Sequence, residues 1–240
     1  MIALPTPRAE WQPTTCPCCM PDSPSLWTPG QVAHIGAVAA LIILTTACQA
    51  NSPSEVESPP YEGTGLQGKA ADFRLVNQGG QEVSLADFRG EVVVLTFMDS
   101  TCKDVCPLTS VHLRTAYGSL SGSEAASVVF LAVNVNLDAN RTADTGAATE
   151  SWQLNEIPSF HFLTGAEAQL RPVWEAYDIA VYRPREGGEL VHTPGVFLID
   201  QRGNKRWYVS TPMDAAGNPL ESAPLSELLL RHMRSLLEEQ

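Results

Sequence analysis

The 240-residue chain has few basic residues. Fifteen Lys and Arg stand against twenty-seven Asp and Glu, giving a formal net charge of −12, and the basic residues form no cluster. Nucleic acids and anionic lipid surfaces are bound by concentrated positive charge. We therefore expect no nucleic-acid partner.

Cysteine is scarce and unevenly placed. Three of the six cysteines lie together at positions 16, 18 and 19, Cys48 stands alone, and Cys102 and Cys106 form a pair. A small secreted scaffold held by many disulfides would carry cysteines throughout its body. The pattern excludes such a scaffold. The hydrophobic fraction of 44% is enough for one packed core, so the length predicts one domain with appendages, or at most two small domains.

Residues 35–47 form an uncharged apolar stretch of thirteen residues. Since a membrane-spanning helix needs about 20 apolar residues, this stretch suits a signal-peptide hydrophobic region better. Residues 44–48, Leu-Thr-Thr-Ala-Cys, resemble a bacterial lipoprotein cleavage box, which would make Cys48 the lipidated N-terminus. An uncleaved anchor and a buried helix remain open. The first two interpretations place the body on the outer side of the cell membrane.

The sequence predicts four regions. Residues 1–30 are rich in Pro, Ser and Thr without periodicity and predict a disordered tail. Residues 31–48 are the signal peptide or anchor, 49–66 a flexible linker, and 67–240 the folded domain. The cluster of Cys16, Cys18 and Cys19 is either an accessory metal site or part of a tail without function. Such a tail would be removed with the signal peptide, or would lie upstream of the true translation start.

The body alternates between strand and helix patterns, which predicts an α/β sheet with antiparallel edges. Ligands of such sheets gather at the carboxyl ends of the strands. The predicted elements are a hairpin at 72–76 and 82–85, a buried strand at 92–97, a helix ending near 121, a buried strand at 128–133, a helix at 142–154, a strand at 160–163, a helix at 167–177, a hairpin at 196–199 and 207–209, and a terminal helix at 225–237.

The sequence Cys102-Lys-Asp-Val-Cys106-Pro107 follows the first buried strand. Two such thiols can form a reversible disulfide, or bind Cu(I) together with an imidazole. Cβ atoms four apart on a helix are separated by about 5–6 Å, whereas a disulfide needs about 3.5–4.5 Å. A disulfide therefore requires Cys102 to precede the helix, and Pro107 disfavours helical geometry at Cys106. A buried structural disulfide or inert core thiols are the alternatives, but the polar neighbours Asp99, Lys103 and Asp104 favour solvent access.

With these residues the chain resembles the Sco/SenC family of thioredoxin-fold proteins, which supply copper to respiratory cytochrome oxidase. The resemblance covers roughly residues 68–211. It includes Asp-Phe-Arg-Leu at 72–75, Val-Ser-Leu-Ala-Asp-Phe-Arg-Gly at 83–90, the two-cysteine motif, and His192 ahead of Phe-Leu-Ile-Asp at 197–200. It implies a thioredoxin-like three-layer sandwich with an N-terminal β-hairpin.

The resemblance also implies the site. Cys102, Cys106 and His192 would be the copper ligands, for Cu(I), with Cu(II) left open, and the two cysteines would also be the redox pair that forms a disulfide. A lone His is usually structural, but His192 lies two residues before Pro194 and a buried strand. In thioredoxin-like folds the proline at this place is cis and faces the cysteines, which makes His192 a candidate ligand. We interpret the other body histidines as structural, namely His112, His161 and His232.

The chain departs from the family pattern at three places near the site. Asn-Val-Asn-Leu-Asp at 134–138 stands where the family usually has Val-Asp-Pro. Asp-Ser-Thr at 99–101 replaces the usual aromatic and small residues, and Pro194 replaces Ser or Thr.

Two functions remain in competition. One is a membrane-tethered copper metallochaperone that delivers Cu(I) to the dinuclear copper centre of an oxidase subunit and receives it from another copper chaperone. The other is a thiol-disulfide oxidoreductase that reduces a partner's copper-binding cysteines, with Cys102 attacking and Cys106 resolving. His192 discriminates between them, because dithiol exchange does not need an imidazole. A thiol peroxidase is disfavoured, since no Arg lies near Cys102 in the sequence.

Overall fold

The computed structural model describes residues 61–185, 188–211 and 223–239. These residues belong to one unit of the chain, Val56–Gln240. The predictions for residues 1–30 and 31–48, for the cysteines at 16, 18, 19 and 48, and for most of 49–66 lie outside the described residues. None of the helices within the described ranges is both long and apolar enough to span a membrane.

The described residues form ten strands, five α-helices and three short 3-10 helices. The strands are β1 (Thr64–Gly65), β2 (Arg74–Val76), β3 (Glu82–Ser84), β4 (Val92–Met98), β5 (Val128–Asn134), β6 (Phe160–Leu163), β7 (Val181–Tyr182), β8 (Val191–His192), β9 (Val196–Ile199) and β10 (Lys205–Val209). The α-helices are α1 (Val105–Gly118), α2 (Gly122–Ala125), α3 (Thr142–Ser151), α4 (Glu167–Ala176) and α5 (Leu225–Glu238). The 3-10 helices are Leu85–Phe88, Leu137–Ala139 and Leu154–Glu156.

Six strands form the main sheet in the order β1-β10-β9-β4-β5-β6. The strands β4, β5 and β6 are parallel, and β9 pairs antiparallel with β4 on the other side. Every residue of β4 and β5 is buried. Continuous apolar runs of this kind are expected for strands that are covered on both faces, as the sequence predicts for residues 92–97 and 128–133.

The sheet is covered on both faces because successive side chains of a strand point to opposite sides. Val92, Val94 and Met98 of β4 pack in the cluster that includes residues of α1 and α5. Val93, Leu95 and Phe97 pack in the cluster that includes α4 and the β2–β3 hairpin. The resulting three layers confirm the predicted α/β, thioredoxin-like sandwich with an N-terminal hairpin.

Two pairings were not predicted from the sequence. Thr64–Gly65 pairs with β10 as an edge strand, although it falls in the range that the sequence assigns to the linker. The strands β7 and β8 form a separate two-stranded sheet in which Val181 lies opposite His192. Strands of two residues carry no detectable alternation, so pattern analysis could not find them.

The segment that leads into β1 is fixed to the domain by polar contacts. His232 of α5 is buried, stacks on Trp207 with ring centroids 4.2 Å apart, and its Nε2 lies 2.6 Å from the Glu62 carbonyl oxygen. Glu62 also forms an ion pair with Arg231 at 3.0 Å. The Tyr61 hydroxyl accepts a hydrogen bond from the Ser210 amide at 3.2 Å. The first described residues are therefore an integral part of the fold.

Replacing Phe130 by Ala tests the core. Phe130 is completely buried in β5 and meets the Tyr117 ring edge-to-face at 5.9 Å. We expect Phe130→Ala to lower the free energy of unfolding by about 3–5 kcal/mol, measured by urea denaturation. Leu108 is 59% exposed on α1, so Leu108→Ala should change it by less than about 0.5 kcal/mol. Similar losses in the two variants would contradict the described core.

Candidate dithiol and metal site

The register of the main sheet brings the cysteine segment and the His192 segment to one edge. Thr96 of β4 lies opposite Val196 of β9, and the Thr96 hydroxyl donates to the Gly195 carbonyl at 2.9 Å. Because the two strands run antiparallel, the chain leaving β4 toward Cys102 lies beside the chain that enters β9 from His192. The cysteines thus occupy the carboxyl end of a central strand, where ligands of such sheets bind.

Cys102 precedes helix α1, and Cys106 lies in its first turn. Asp104 is the N-cap, and its carboxylate accepts from the Val105 amide at 2.6 Å. The Cys102 sulfur accepts from the Cys106 amide at 3.3 Å. The pair therefore straddles the helix start as the sequence predicts. Cys106 itself is helical, so the expectation that Pro107 disfavours helical geometry there is wrong, because Pro107 fits within the first turn, where its missing N–H costs little.

The two thiols differ strongly in acidity. The hydrogen bond that Cys106 donates lowers the pKa of Cys102 to about 7, and backbone N–H groups at the helix start contribute. Hydrogen bonding to Cys102 and burial raise the pKa of the Cys106 thiol well above its ordinary value. Cys102 is half-buried, whereas Cys106 is only 2% exposed. Cys102 is thus the accessible thiolate, and Cys106 is the protonated, protected partner.

His192 is half-buried at the end of β8. Its Nδ1 lies 3.1 Å from the Thr193 carbonyl oxygen, which fits the tautomer with the proton on Nδ1 and the lone pair on Nε2. Burial lowers the pKa of His192, while the Thr193 carbonyl and the Asp99 carboxylate act in the opposite direction. The imidazole is therefore neutral near pH 7, the form that binds metals.

The structure brings the two cysteines together but does not gather His192 with them. Among the residues that the structure describes, no group of three or more His, Cys, Asp or Glu side chains is arranged to hold a metal ion. The predicted ligand set of Cys102, Cys106 and His192 therefore stays a prediction.

The peptide bond before Pro194 is trans, as is every described peptide bond. The expectation of a cis bond there is wrong. The entry into β9 is instead made by Gly195, whose φ of +142° an L side chain rarely adopts. A Cβ atom there would lie 2.5 Å from the Tyr208 ring. The Tyr208 hydroxyl in turn donates to the Pro194 carbonyl.

A buried polar network lies directly beside the cysteines. Asp99, Asn134 and Asn136 are all at most 7% exposed. The Asn136 side-chain amide donates to Asp99 Oδ1 at 2.8 Å and to the Thr101 hydroxyl at 3.0 Å. Asn134 Oδ1 accepts from the Ser100 amide at 3.3 Å. In the sequence these residues are visible only as two departures from the family pattern, at 99–101 and 134–138. The sequence does not show that the two segments contact each other.

The prediction that the other described histidines are structural stays a prediction, and two of the three have polar partners within the fold. His161 Nδ1 lies 3.3 Å from the Asn77 side-chain amide nitrogen, and His232 contacts Glu62 and Trp207. His112 is half-buried on α1, and burial lowers its pKa.

The acidity of Cys102 can be measured by alkylation with iodoacetamide across a range of pH, followed by mass spectrometry. We expect a midpoint near pH 7 for Cys102 and slow reaction of Cys106. Cys106→Ala should move the midpoint upward, because it removes the thiol hydrogen bond that contributes most to the low pKa. Ser110→Ala is the control, since it removes only the bond to the Cys106 carbonyl. A wild-type midpoint near the ordinary thiol pKa of about 8.5 would contradict the geometry.

Comparison with known proteins agrees with this architecture. The sequence profile of the SCO1/SenC family matches residues 62–217. An SCO2-like protein of Rickettsia felis is 26% identical over 183 residues, covering 72% of this chain and 85% of that protein. ScoI of Bradyrhizobium japonicum, solved with copper bound, aligns with a TM-score of 0.56 and 20% identity over 70% of this chain and 99% of that structure.

A third similar protein is BsSco, described as a member of the Sco family of cytochrome c oxidase assembly proteins in a structure that identifies a disulfide switch. It aligns with a TM-score of 0.54 and 20% identity over 74% of this chain and 98% of that structure. Since the family profile spans well over half of the sequence and the fold agrees with it, this chain belongs to the SCO1/SenC family.

Proposed function

We propose that this protein is a membrane-anchored, extracytoplasmic copper chaperone. It binds Cu(I) through Cys102, Cys106 and His192 and delivers the ion to the dinuclear copper site of a cytochrome c oxidase. Copper is cargo here and passes between proteins by ligand exchange. Family membership supports this, as do the copper bound in the ScoI relative and the role in oxidase assembly stated for BsSco.

The observation that carries the proposal is the pairing of the two sulfurs at the start of α1. Cys102 Sγ accepts a hydrogen bond from the Cys106 amide at 3.3 Å, so the two cysteines lie side by side. Both are reduced. Two adjacent thiolates are soft ligands that select Cu(I) over harder divalent ions. The accessible Cys102 is the sulfur at which an incoming partner ligand would exchange.

His192 would complete a three-coordinate site. Its segment runs beside the end of β4, and its neutral imidazole is a suitable ligand for copper. The hairpin that carries it is held by the Thr193 amide donating to the Ala180 carbonyl at 3.0 Å and by an exposed ion pair between Arg183 and Asp138 at 2.7 Å. Exposed ion pairs contribute little to stability. The Ala180 amide also donates to the Thr193 hydroxyl at 3.0 Å, so the backbone next to His192 is held by a reciprocal pair of hydrogen bonds.

The exposed apolar side chains support a protein partner. All the large hydrophobic side chains that are exposed among the described residues lie on the two elements that carry the proposed ligands. Val105, Leu108 and Val111 lie on α1, and Tyr182 and Val191 lie on the β7–β8 hairpin. Exposed apolar surface of this kind is typical of protein contacts. We assign it to the copper-site subunit of a respiratory oxidase as acceptor, with another copper chaperone as donor.

The anchor is part of the proposal. Attachment through lipidated Cys48, or through an uncleaved segment at 31–48, would hold the domain on the outer face of the membrane. This rests on the sequence alone, since these residues lie outside the described ranges.

Anaerobic titration of the reduced protein with Cu(I), in competition with a chromogenic chelator, tests the ligand set. We expect one tightly bound ion. His192→Ala should weaken binding by about tenfold or more, since even loss of an outer-shell partner costs roughly 10–100-fold in metal affinity. Cys102→Ser should weaken it further. His161→Ala is the matched control, because His161 is also a half-buried imidazole but lies on β6. Equal affinity in wild type and His192→Ala would exclude His192 as a ligand.

The pH dependence of the same titration follows from the thiol pKa values. Cu(I) binding displaces the thiol protons. Below pH 7 both Cys102 and Cys106 are protonated, whereas above pH 7 only Cys106 is. The logarithm of the affinity should therefore rise by about two per pH unit below pH 7 and by about one above it. An affinity that is independent of pH would contradict binding by both sulfurs.

A second candidate, a thiol-disulfide reductase, is favoured by the asymmetry of the thiols and by the fact that His192 is not gathered with them. The Cys102 thiolate would attack a partner disulfide and release one partner thiolate. Cys106 would then give up its proton, attack Cys102 and release the second partner thiolate. Two electrons pass to the partner, the protein is left with a Cys102–Cys106 disulfide, and an external dithiol must reduce it again.

The reductase candidate predicts distinct effects of two Ser variants on a peptide that carries a disulfide. Cys106→Ser should accumulate the mixed disulfide through Cys102, because the resolving thiol is missing, and Cys102→Ser should be inactive. His192→Ala should keep the wild-type rate. The products are followed by mass spectrometry. A wild-type protein that binds Cu(I) but leaves the peptide oxidised would remove this candidate.

A further inference from the structure

The strongest unexplained feature near the site is the Asp99 carboxylate, which is 7% exposed. One of its oxygens, Oδ1, accepts three hydrogen bonds. Two come from Thr101, from its amide at 2.8 Å and its hydroxyl at 2.9 Å, and one comes from the Asn136 side chain at 2.8 Å. Buried carboxylates are kept only where such partners replace water.

These bonds define the turn that carries Cys102. In addition to the contacts of its carboxylate, the Asp99 carbonyl oxygen accepts from the Cys102 amide at 3.0 Å. The backbone of residues 99–102 is therefore fixed at its beginning by Asp99 and at its end by the contact between the Cys102 sulfur and the Cys106 amide. The position of Cys102 relative to Cys106 depends on this turn.

The turn at residues 99–102 is itself fixed to the neighbouring strand β5. Asn134, at the end of β5, is fully buried, and its side-chain amide donates to the Asn136 and Ala139 carbonyls at 3.0 and 2.8 Å. Its Oδ1 accepts from the Ser100 and Asn136 amides. The loops that follow β4 and β5 thus form one hydrogen-bonded unit. Two of the three segments at which the sequence departs from the family pattern, 99–101 and 134–138, form the two halves of this unit.

We propose that Asp99, supported by Asn136, is a positioning residue that holds the Cys102 sulfur in register with Cys106. The inference rests on the proposed dithiol chemistry of this pair and assigns to it the residues that set its geometry. What Asp99 provides is an acceptor oxygen at a fixed place. The Asn136 amide in turn fixes that oxygen.

If Asp99 positions Cys102, its loss should lower the effective concentration of one thiol at the other, which sets how readily the Cys102–Cys106 disulfide forms. In a glutathione redox buffer, the protein dithiol and glutathione disulfide exchange to give the Cys102–Cys106 disulfide and two glutathione thiols, and the ratio of the two protein forms is read by alkylation and mass spectrometry. Asp99→Ala should lower the equilibrium constant by about tenfold or more, because a misplacement of about 1 Å can cost ~100-fold. Asp99→Asn keeps an acceptor oxygen of the same shape and should stay close to wild type.

Two further variants keep the test decisive if Asp99→Ala does not fold. Thr101 is exposed, so Thr101→Val should fold and, lacking its hydroxyl bonds to Asp99 and Asn136, should give a smaller decrease. Asn140→Ala is the control, because it removes a hydrogen bond from the same loop to the Gly165 carbonyl without touching the turn. It should leave the equilibrium constant unchanged.

The outcomes separate the explanations. Equal losses in Asp99→Asn and Asp99→Ala would mean that the charge matters and not the acceptor geometry, which would overturn the proposal. So would an unchanged equilibrium constant in both Asp99→Ala and Thr101→Val. A wild-type protein that binds no Cu(I) would remove the proposed copper delivery while leaving this thiol measurement interpretable, so the two failures are distinguishable.

Discussion

The pairing of β4 with an antiparallel neighbour on one side and a parallel neighbour on the other is the constraint on which the site depends. Because β9 runs opposite to β4, its entry segment with His192 lies beside the exit segment of β4 with Cys102. Because β5 runs with β4, its exit loop with Asn134 and Asn136 lies on the other flank. Three segments that are far apart in the sequence thus lie at the same edge of the sheet.

The difference between the two sulfurs follows from this placement. Cys102 lies in the turn, half-exposed and within reach of the helix amides, so its thiolate is stabilised. Cys106 lies in the first turn of α1 and packs in the core cluster that includes Met98 and Leu113. Such a pair suits both proposed functions, since one sulfur meets the partner and the other is withheld from it. The neutral imidazole of His192 is the component that distinguishes copper delivery from simple thiol exchange.

Long elements with strong patterns could be predicted from the sequence, and short or purely tertiary features could not. The strands at 92–97 and 128–133 were predicted close to their observed bounds, because apolar runs of this length between turn residues are typical of buried strands. The helix after the first strand was predicted to end near 121 and ends at Gly118, and the helix predicted at 142–154 ends at Ser151. The two-residue strands around Thr64 and His192 lack any pattern. The contact between Asp99 and Asn136 joins positions 37 residues apart, which no local rule relates. The polar character of the segments at 99–101 and 134–138 was visible in the sequence, but the hydrogen bond between them was not.

The position of β1 determines where the described chain enters the domain. Thr64 lies opposite Tyr208, and the Tyr61 hydroxyl accepts a hydrogen bond from the Ser210 amide. Through the pairings of β10 with β9 and of β9 with β4, this entry lies at the level where β4 ends. The first described residues and the reactive Cys102 therefore share one edge of the main sheet, and the opposite edge carries neither.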